Sequence, residues 1–334
     1  MFGLLAARRS NRFVLIAGAG LLVISMAGLM TVQSFLGLVL FLGILFGAGA
    51  GALSFGVILT SATHFVGKEN AMLIAGMLNA AAGMVSFFLS PGLVAILSWG
   101  GLSAAMIALG VLSVLLVPIT LVVTSKDAAV RDTEALGEAK GAPVSSFFSN
   151  ALKNRTFRLV LVGFCTCGFH MVIIESHLYS QFLAYGIAAA SAGWAFSLYG
   201  ISSIFGALLS GYLSTRLHKG HLLAFYYGFR AIWVLSYIFL MPKSLLTALL
   251  FSCGLGMTGG ATVPPTSGLV NDHFPLSQSA TLIGLLFAGH QVGAFFSAWL
   301  GGVIVSATGG YELLWVMDIA LCTLASLACS RIRR

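Results

Sequence analysis

Ionisable side chains are scarce in the long apolar runs of this 334-residue chain, and those present are where chemistry would sit. His170, Glu175 and His177 stand in one run, Arg230 in another, His290 in a third and Asp318 in the last. Such a group at the centre of a hydrocarbon layer costs about 2.5–3.5 kcal/mol on insertion scales, so each is a functional hypothesis by default. His170, Arg230 and His290 fall within about two residues of the midpoints of their runs, hence within about 3 Å of one plane at 1.5 Å per residue. A cation at that depth attracts a carboxylate, and histidine changes charge near neutral pH. With Gln291 beside His290, and Thr258 and Thr262 in a neighbouring run, these residues form the candidate binding set. The structural alternative for each is a hydrogen bond to an adjacent helix. For Arg230 two arrangements stay open: a pair with Glu175, or burial against backbone carbonyls. Glu175 and His177 are the candidate carriers of a coupling proton, and Asp318 is read as structural.

The elements that must position these groups follow from composition. Hydrophobic residues make up 59% of the chain and charged residues 8%, where soluble domains carry roughly 25% charged. A spanning helix needs about 20 mostly apolar residues. Runs of that kind predict helices near 13–31, 35–60, 71–97, 102–124, 157–185, 190–214, 221–241, 245–269, 279–306 and 311–330. The fold class is therefore an all-α membrane bundle of about ten transmembrane helices. The polar stretch between them divides the chain into a half-bundle over 1–124, a cytoplasmic linker over 125–156 and a second half-bundle over 157–334. Gly259-Gly260 and Pro264-Pro265 interrupt helix 245–269, predicting a hinge or cavity wall in which Thr258, Thr262 and Thr266 satisfy freed backbone groups. The small-residue strip GAGAGAL at 47–53 predicts close helix packing. Cys165, Cys167, Cys253, Cys322 and Cys329 lie in apolar runs, where they read as small packing residues; no metal or disulfide pattern is seen in their spacing.

The net charge of +8 reflects orientation and not nucleic-acid binding. Of the 17 Lys and Arg residues, Lys243 alone falls on one face of the predicted topology and Arg230 inside a helix; the others share the opposite face. Basic residues mark the cytoplasmic side, which puts both termini inside. The basic residues of MFGLLAARRSNR precede a first helix that is retained and not cleaved.

The chain also resembles itself. GLLAAR at 3–8 matches GYLSTR at 211–216, and His64-Phe65 and Gly100-Gly101 meet His273-Phe274 and Gly309-Gly310 at nearly the same offset. Two related halves are a habit of transporter folds. In that register the second half has two helices before its GYLSTR loop and the first half has none, so two helices are expected upstream of Met1.

CGFHMVIIESHLYSQFLAYG at 167–186, GALLSGYLSTRLHKG at 206–220, GGATVPPTSGLVNDHF at 259–274 and GHQVGAFFSAWLGGVIVSATGGY at 289–311 resemble the major facilitator superfamily. Within it, the resemblance is to the bacterial branch of monocarboxylate and oxalate/formate carriers. It implies that the helices are the third to twelfth of twelve. It also implies a monomer in the bacterial inner membrane that moves a small anionic substrate, with a proton as coupling ion and no cofactor. The family's gating-loop signature is matched at Gly3, Arg8, Gly211 and Arg216, but Ala7 and Thr215 stand where an acidic residue is expected. No GxxxxGK[ST] phosphate loop occurs, and the scattered His and lone Glu175 form no enzyme constellation. Secondary transport is the expected function; the alternative is a truncated, non-transporting membrane protein of the same fold.

Overall fold

A computed structural model describes residues 5, 9–32, 34–55, 57–58, 61–62, 71–125, 144–274 and 276–332. Among them the elements are helical throughout. In chain order they are α1 (Asn11–Leu29), α2 (Phe35–Ala52), α3 (Ala71–Val123), the short α4 (Val144–Lys153), α5 (Arg155–Ala184), α6 (Ala189–Arg216), α7 (Lys219–Leu240), α8 (Leu245–His273), α9 (Leu276–Thr308) and α10 (Glu312–Ser330). Nine of the described helices are long and apolar enough to cross a membrane. The tenth predicted span is within α3, which breaks at Gly101 (φ 66°, ψ −166°), a left-handed conformation open to glycine. Predicted helix 35–60 is interrupted after Ala52, where Leu53 leaves helical geometry (φ −85°, ψ 27°); Ile58 N–H donates to Ser54 O, so helical turns resume beyond the break.

Helix starts are written locally. Ser10 accepts a hydrogen bond from Phe13 N–H, Asn154 from Phe157 N–H, and Ser244 forms a capping box with Thr247. Lys243, the basic residue apart from the rest, donates to the carbonyls of Tyr237, Ile238 (2.9 Å) and Met241 (3.4 Å) at the end of α7. Its ammonium lies 4.6 Å over the Tyr237 ring. Burial pushes its pKa down, while the carbonyls of the helix end favour its charge.

The chain divides into two compact units, Met1–Leu78 with Gly92–Gly141, and Asn79–Pro91 with Ala142–Arg334. In the first, a Cβ on Gly18 would come within 2.7 Å of Ala52 Cβ and 3.1 Å of Gly49 O. The GAGAGAL strip thus lets α1 and α2 touch backbone to backbone. Ser25 Oγ donates to Phe41 O (2.8 Å) across the same contact.

In the second unit α5 packs on α9 and α10, α6 on α8, and α7 on α10. The tightest crossings are again glycine-mediated: a Cβ on Gly168 would run into the His290 carbonyl, and one on Gly206 into that of Met257. Tyr237, Phe251 and Trp315 fill the space between, with Tyr237 stacked on Phe251 at 4.0 Å. Large apolar side chains point outward as well, Leu240 at 73% exposure and Ile232 at 68%, as lipid-facing residues do.

Candidate functional site

The double glycine and double proline break α8 into Leu245–Gly259, a tight turn over Gly260–Thr262, and Val263–His273. In a continuous helix Pro264 and Pro265 would have to donate to Gly260 O and Ala261 O, and proline has no N–H to give. Val263 N–H turns back to Gly260 O, and Ser210 Oγ of α6 donates to Ala261 O at 2.5 Å. The tightened turn also removes the usual donors to Thr258 O and Gly259 O. Arg230 of α7 replaces them.

Arg230 is fully buried. Its Nη2 donates to Thr258 O (2.5 Å) and Gly259 O (3.0 Å), its Nε to Thr258 Oγ1 (3.4 Å) and its Nη1 to Cys167 Sγ (3.3 Å). The guanidinium carbon lies 5.4 Å over the Tyr227 ring. The cation thus sits at the C-terminal end of the first arm of α8, where the helix dipole is negative. Of the two arrangements open at the sequence level, the observed one is the bond to carbonyls. Glu175 is exposed elsewhere on α5.

Cys167 gathers the neighbours. Beyond Arg230 it lies 3.3 Å from Thr262 Oγ1 and within side-chain hydrogen-bonding reach of His290. Arg230, Thr262 and His290 therefore converge on a thiol that sequence reasoning assigned to packing, and Thr258 joins them through Arg230. His290 is half-buried, its ring 5.1 Å from Phe164 and 6.3 Å from Phe287, and its Nδ1 has no hydrogen-bond partner among the described residues. Gln291 is exposed one residue on. Glu175 lies within electrostatic range of His290. Both Glu175 and His177 occupy a widened π turn, Ile174–Leu178, a deformation that recurs at functional sites. His177 packs its ring on Gly301.

His170 does not join this group. It faces α10, where its Nδ1 meets Asp318 Oδ2 at 2.7 Å with both side chains fully buried. Asp318 Oδ1 accepts from Cys322 Sγ (3.7 Å). The donor atoms of His170, Asp318 and Cys322 all lie within 4.8 Å of one another, and the carboxylate spends its oxygens on its two neighbours. The trio is a hydrogen-bonded cluster, and none of its members is assigned to a metal or cofactor. Asp318 was legible only as one acid in an apolar helix; its partner lies 148 residues away. At the other end of Trp315, Nε1 donates to Gln181 Oε1 (2.8 Å), whose amide donates to Tyr185 (2.7 Å).

Of the gating-loop residues, Gly3 and Arg8 lie outside the described residues. Gly211 is on α6, and Arg216 is exposed at its end, 5.7 Å over Tyr212. At the first residue of the next helix, Lys219 pairs with Asp272 at 2.6 Å.

The Major Facilitator Superfamily profile matches residues 1–253 and 181–333. An uncharacterised MFS-type transporter of Bacillus subtilis (strain 168), YcxA, is 25% identical over 195 residues, which is 54% of this chain and 45% of that protein. A probable chloroplastic anion transporter 3 of Oryza sativa subsp. japonica is 26% identical over 183 residues, 52% of this chain and 33% of that one. The chain thus spans less than half the length of these curated relatives. A crystal structure of the E. coli fucose:proton symporter FucP superposes with a TM-score of 0.68 at 14% identity, covering 100% of this chain and 87% of that one. That likeness is one of fold.

Proposed function

The chain belongs to the Major Facilitator Superfamily, and from that membership we propose that it is a secondary active transporter of a small, monocarboxylate-like organic anion, working by alternating access. It is a multi-pass membrane protein, and the family it belongs to is one of transporters. The observation that carries the substrate class is a buried cation without a carboxylate partner. Arg230 is bonded to two carbonyls, a hydroxyl and a thiol, and no carboxylate lies within ion-pair distance of it among the described residues. Its field is poorly screened where water is absent, and it favours a negative ligand on the near side.

In this reading that side is taken by His290, whose buried Nδ1 has no hydrogen-bond partner among the described residues, and by Gln291, exposed one residue on. These two residues make the direct contacts in this proposal, with Thr262 and Arg230 behind them through Cys167 and Thr258 behind Arg230. His170, turned to Asp318, is withdrawn from the contact set. A proton is the coupling ion, with Glu175 and His177 the groups singled out by type. The same reading takes 1–124 and 157–334 as half-bundles joined by a cytoplasmic linker over 125–156, in a monomer of the bacterial inner membrane with both termini inside. The relative described as a probable anion transporter supports the charge of the substrate and says nothing of its size.

Uptake of labelled lactate, pyruvate, oxalate and fucose into vesicles containing the full chain is the test. The expected result is uptake of one or more of the carboxylates. A charge-assisted hydrogen bond is worth about 1.5–3 kcal/mol, so His290→Ala should raise the KM roughly tenfold to a hundredfold. Uptake of fucose alone would overturn the substrate class, and uptake of none of the four would favour the non-transporting alternative.

A further inference from the structure

We infer that His218, at the head of α7, is a pH sensor that clamps this end of the helix to α8 and α10 while its imidazole is neutral and releases it on protonation. His218 is the N-cap of α7: its Nδ1 accepts a hydrogen bond from His221 N–H at 3.3 Å. The helices α1, α5 and α8 are capped by Ser10, Asn154 and Ser244, side chains that keep one state at every ordinary pH. Imidazole changes its charge near neutrality. The capping bond needs a lone pair on Nδ1, which only the neutral ring has. Once both ring nitrogens carry protons, an N–H faces an N–H, and a positive charge stands at the positive end of the α7 dipole. The cap is therefore present above the range in which imidazole takes up a proton and is lost as pH falls through it.

The capped turn is also the seat of two neighbouring helices. Gly220 is packed so closely that a Cβ there would lie 2.8 Å from Ile332 Cβ and 3.2 Å from Cys329 O at the end of α10, and 3.1 Å from His218 Cε1. The half-buried imidazole thus lies against the same glycine that α10 touches. Lys219, between the two, pairs with Asp272 at the end of α8 at 2.6 Å. Its stem runs over Gly268, where a Cβ would come within 2.6 Å of Lys219 Cε. Both contacts require Lys219 and Gly220 to keep their place in the first turn of α7. Without the cap the orphan N–H groups of that turn have only water to bond, the turn frays, and its grip on α8 and α10 weakens with it.

The charged and titratable groups around the ring offer an added proton little support. On α7 itself Lys219 is a cation, and His221, exposed, sets its ring 4.6 Å from that of His218. From α6, Arg216 is turned to Tyr212 at 5.7 Å. From α8 come Asp272, whose Oδ2 is taken by Lys219, and His273, whose Nδ1 lies 3.0 Å from Leu269 O. From α10 come Cys329 and the exposed Arg331. Asp272 is the acid of this group and is already paired, so a charge on His218 meets mainly its own sign, and letting the turn go relieves it. The device works without a substrate. In the topology proposed above this end faces the cytosol, so the pH it reads is the cytosolic one.

The test is hydrogen–deuterium exchange on the purified full chain in lipid nanodiscs, with protection corrected for the intrinsic pH dependence of amide exchange. Loss of a helix cap changes local opening about threefold to tenfold. In the wild type, protection of the first two turns of α7, and of the last turns of α8 and α10, is expected to fall by that factor between about pH 7.5 and about pH 5.5. His218→Asn, which caps without titrating, should keep the neutral-pH protection at both values, and His218→Ala should show the loosened turn at both. His221→Gln leaves the backbone donor in place and should behave as wild type, which separates the cap from the second ring. Wild-type protection that does not change with pH, a fall of equal size in His218→Asn, or a fall abolished by His221→Gln overturns the inference. Should His218→Asn fail to fold, His218→Ser, another non-titrating cap, takes its place. A chain that takes up no carboxylate would sink the transport reading and leave this measurement untouched.

Discussion

Replacing Arg230 by Met tests whether a cation completes the broken helix or merely tolerates its neighbourhood. Met keeps much of the length and apolar stem and removes every donor. Thr258 O and Gly259 O, both held by Nη2, then lose that donor, at about 1–3 kcal/mol for each buried group. Against this stands relief from keeping a charge out of water, which is several kcal/mol per ion in a poor site. Here the site is favourable, since the guanidinium lies on a helix C-terminus and over the Tyr227 ring. We expect a net loss of about 2–4 kcal/mol, the cost of two weakened buried acceptors less the relief of the buried charge. Arg230→Lys should lose less, because one ammonium retains the charge but cannot span the acceptors of a planar fork. The decisive comparison is a cycle with Pro264→Ala/Pro265→Ala, which restores two backbone donors and lets the turn re-form as α-helix, returning Thr258 O and Gly259 O to their own N–H partners. In that background Arg230→Met should be cheaper by about 1–3 kcal/mol. Thermal unfolding followed by a thiol-reactive dye reads all of these, because Cys167, Cys322 and Cys329 are buried until the bundle opens. An Arg230→Met protein that melts at or above wild type, or a cost unchanged without the prolines, would refute the reasoning.

Two smaller perturbations follow from the same crossings. Ser210→Ala removes the hydroxyl donor to Ala261 O and should cost about 1–3 kcal/mol, with the loss vanishing when Pro265→Ala supplies an N–H; the same melting assay checks both. Gly168→Ala places a methyl against the His290 carbonyl and should force α5 from α9 at about 1–3 kcal/mol, lowering the melting temperature and weakening carboxylate uptake together. Uptake that falls with no change in melting would show that the contact positions His290 without holding the bundle.

The helices were legible because hydrocarbon asks one question of a sequence, whether about 20 residues in a row are apolar. The breaks at Gly101 and at Gly259 to Pro265 were legible too, since glycine and proline act on their own backbone. What could not be read were partners. Arg230 is recognisably odd, but its acceptors are main-chain carbonyls of a helix 28 residues on, and a carbonyl belongs to every residue alike. Cys167 looked like filler because a thiol has no charge to advertise; only the guanidinium, Thr262 and His290 closing on it mark it out. His170 shares a midplane with His290, yet depth says nothing about which way a side chain faces, and it is turned to Asp318. Helix 35–60 is interrupted after Ala52 for a related reason: composition gives the extent of an apolar run, not where its backbone turns.

The break in α8 also bears on how the chain gets into the bilayer. Its first arm, Leu245–Gly259, has 15 residues and is about 22 Å long at 1.5 Å per residue, short of a hydrocarbon layer about 30 Å thick. It cannot leave the translocon as a finished span. Arg230, synthesised just before it on α7, enters lipid at a penalty of about 2.5–3.5 kcal/mol until the carbonyls of that arm arrive. Each segment supplies what the other lacks, so α7 and α8 should partition into the membrane as one hairpin, and biogenesis halted between them would leave α7 poorly anchored.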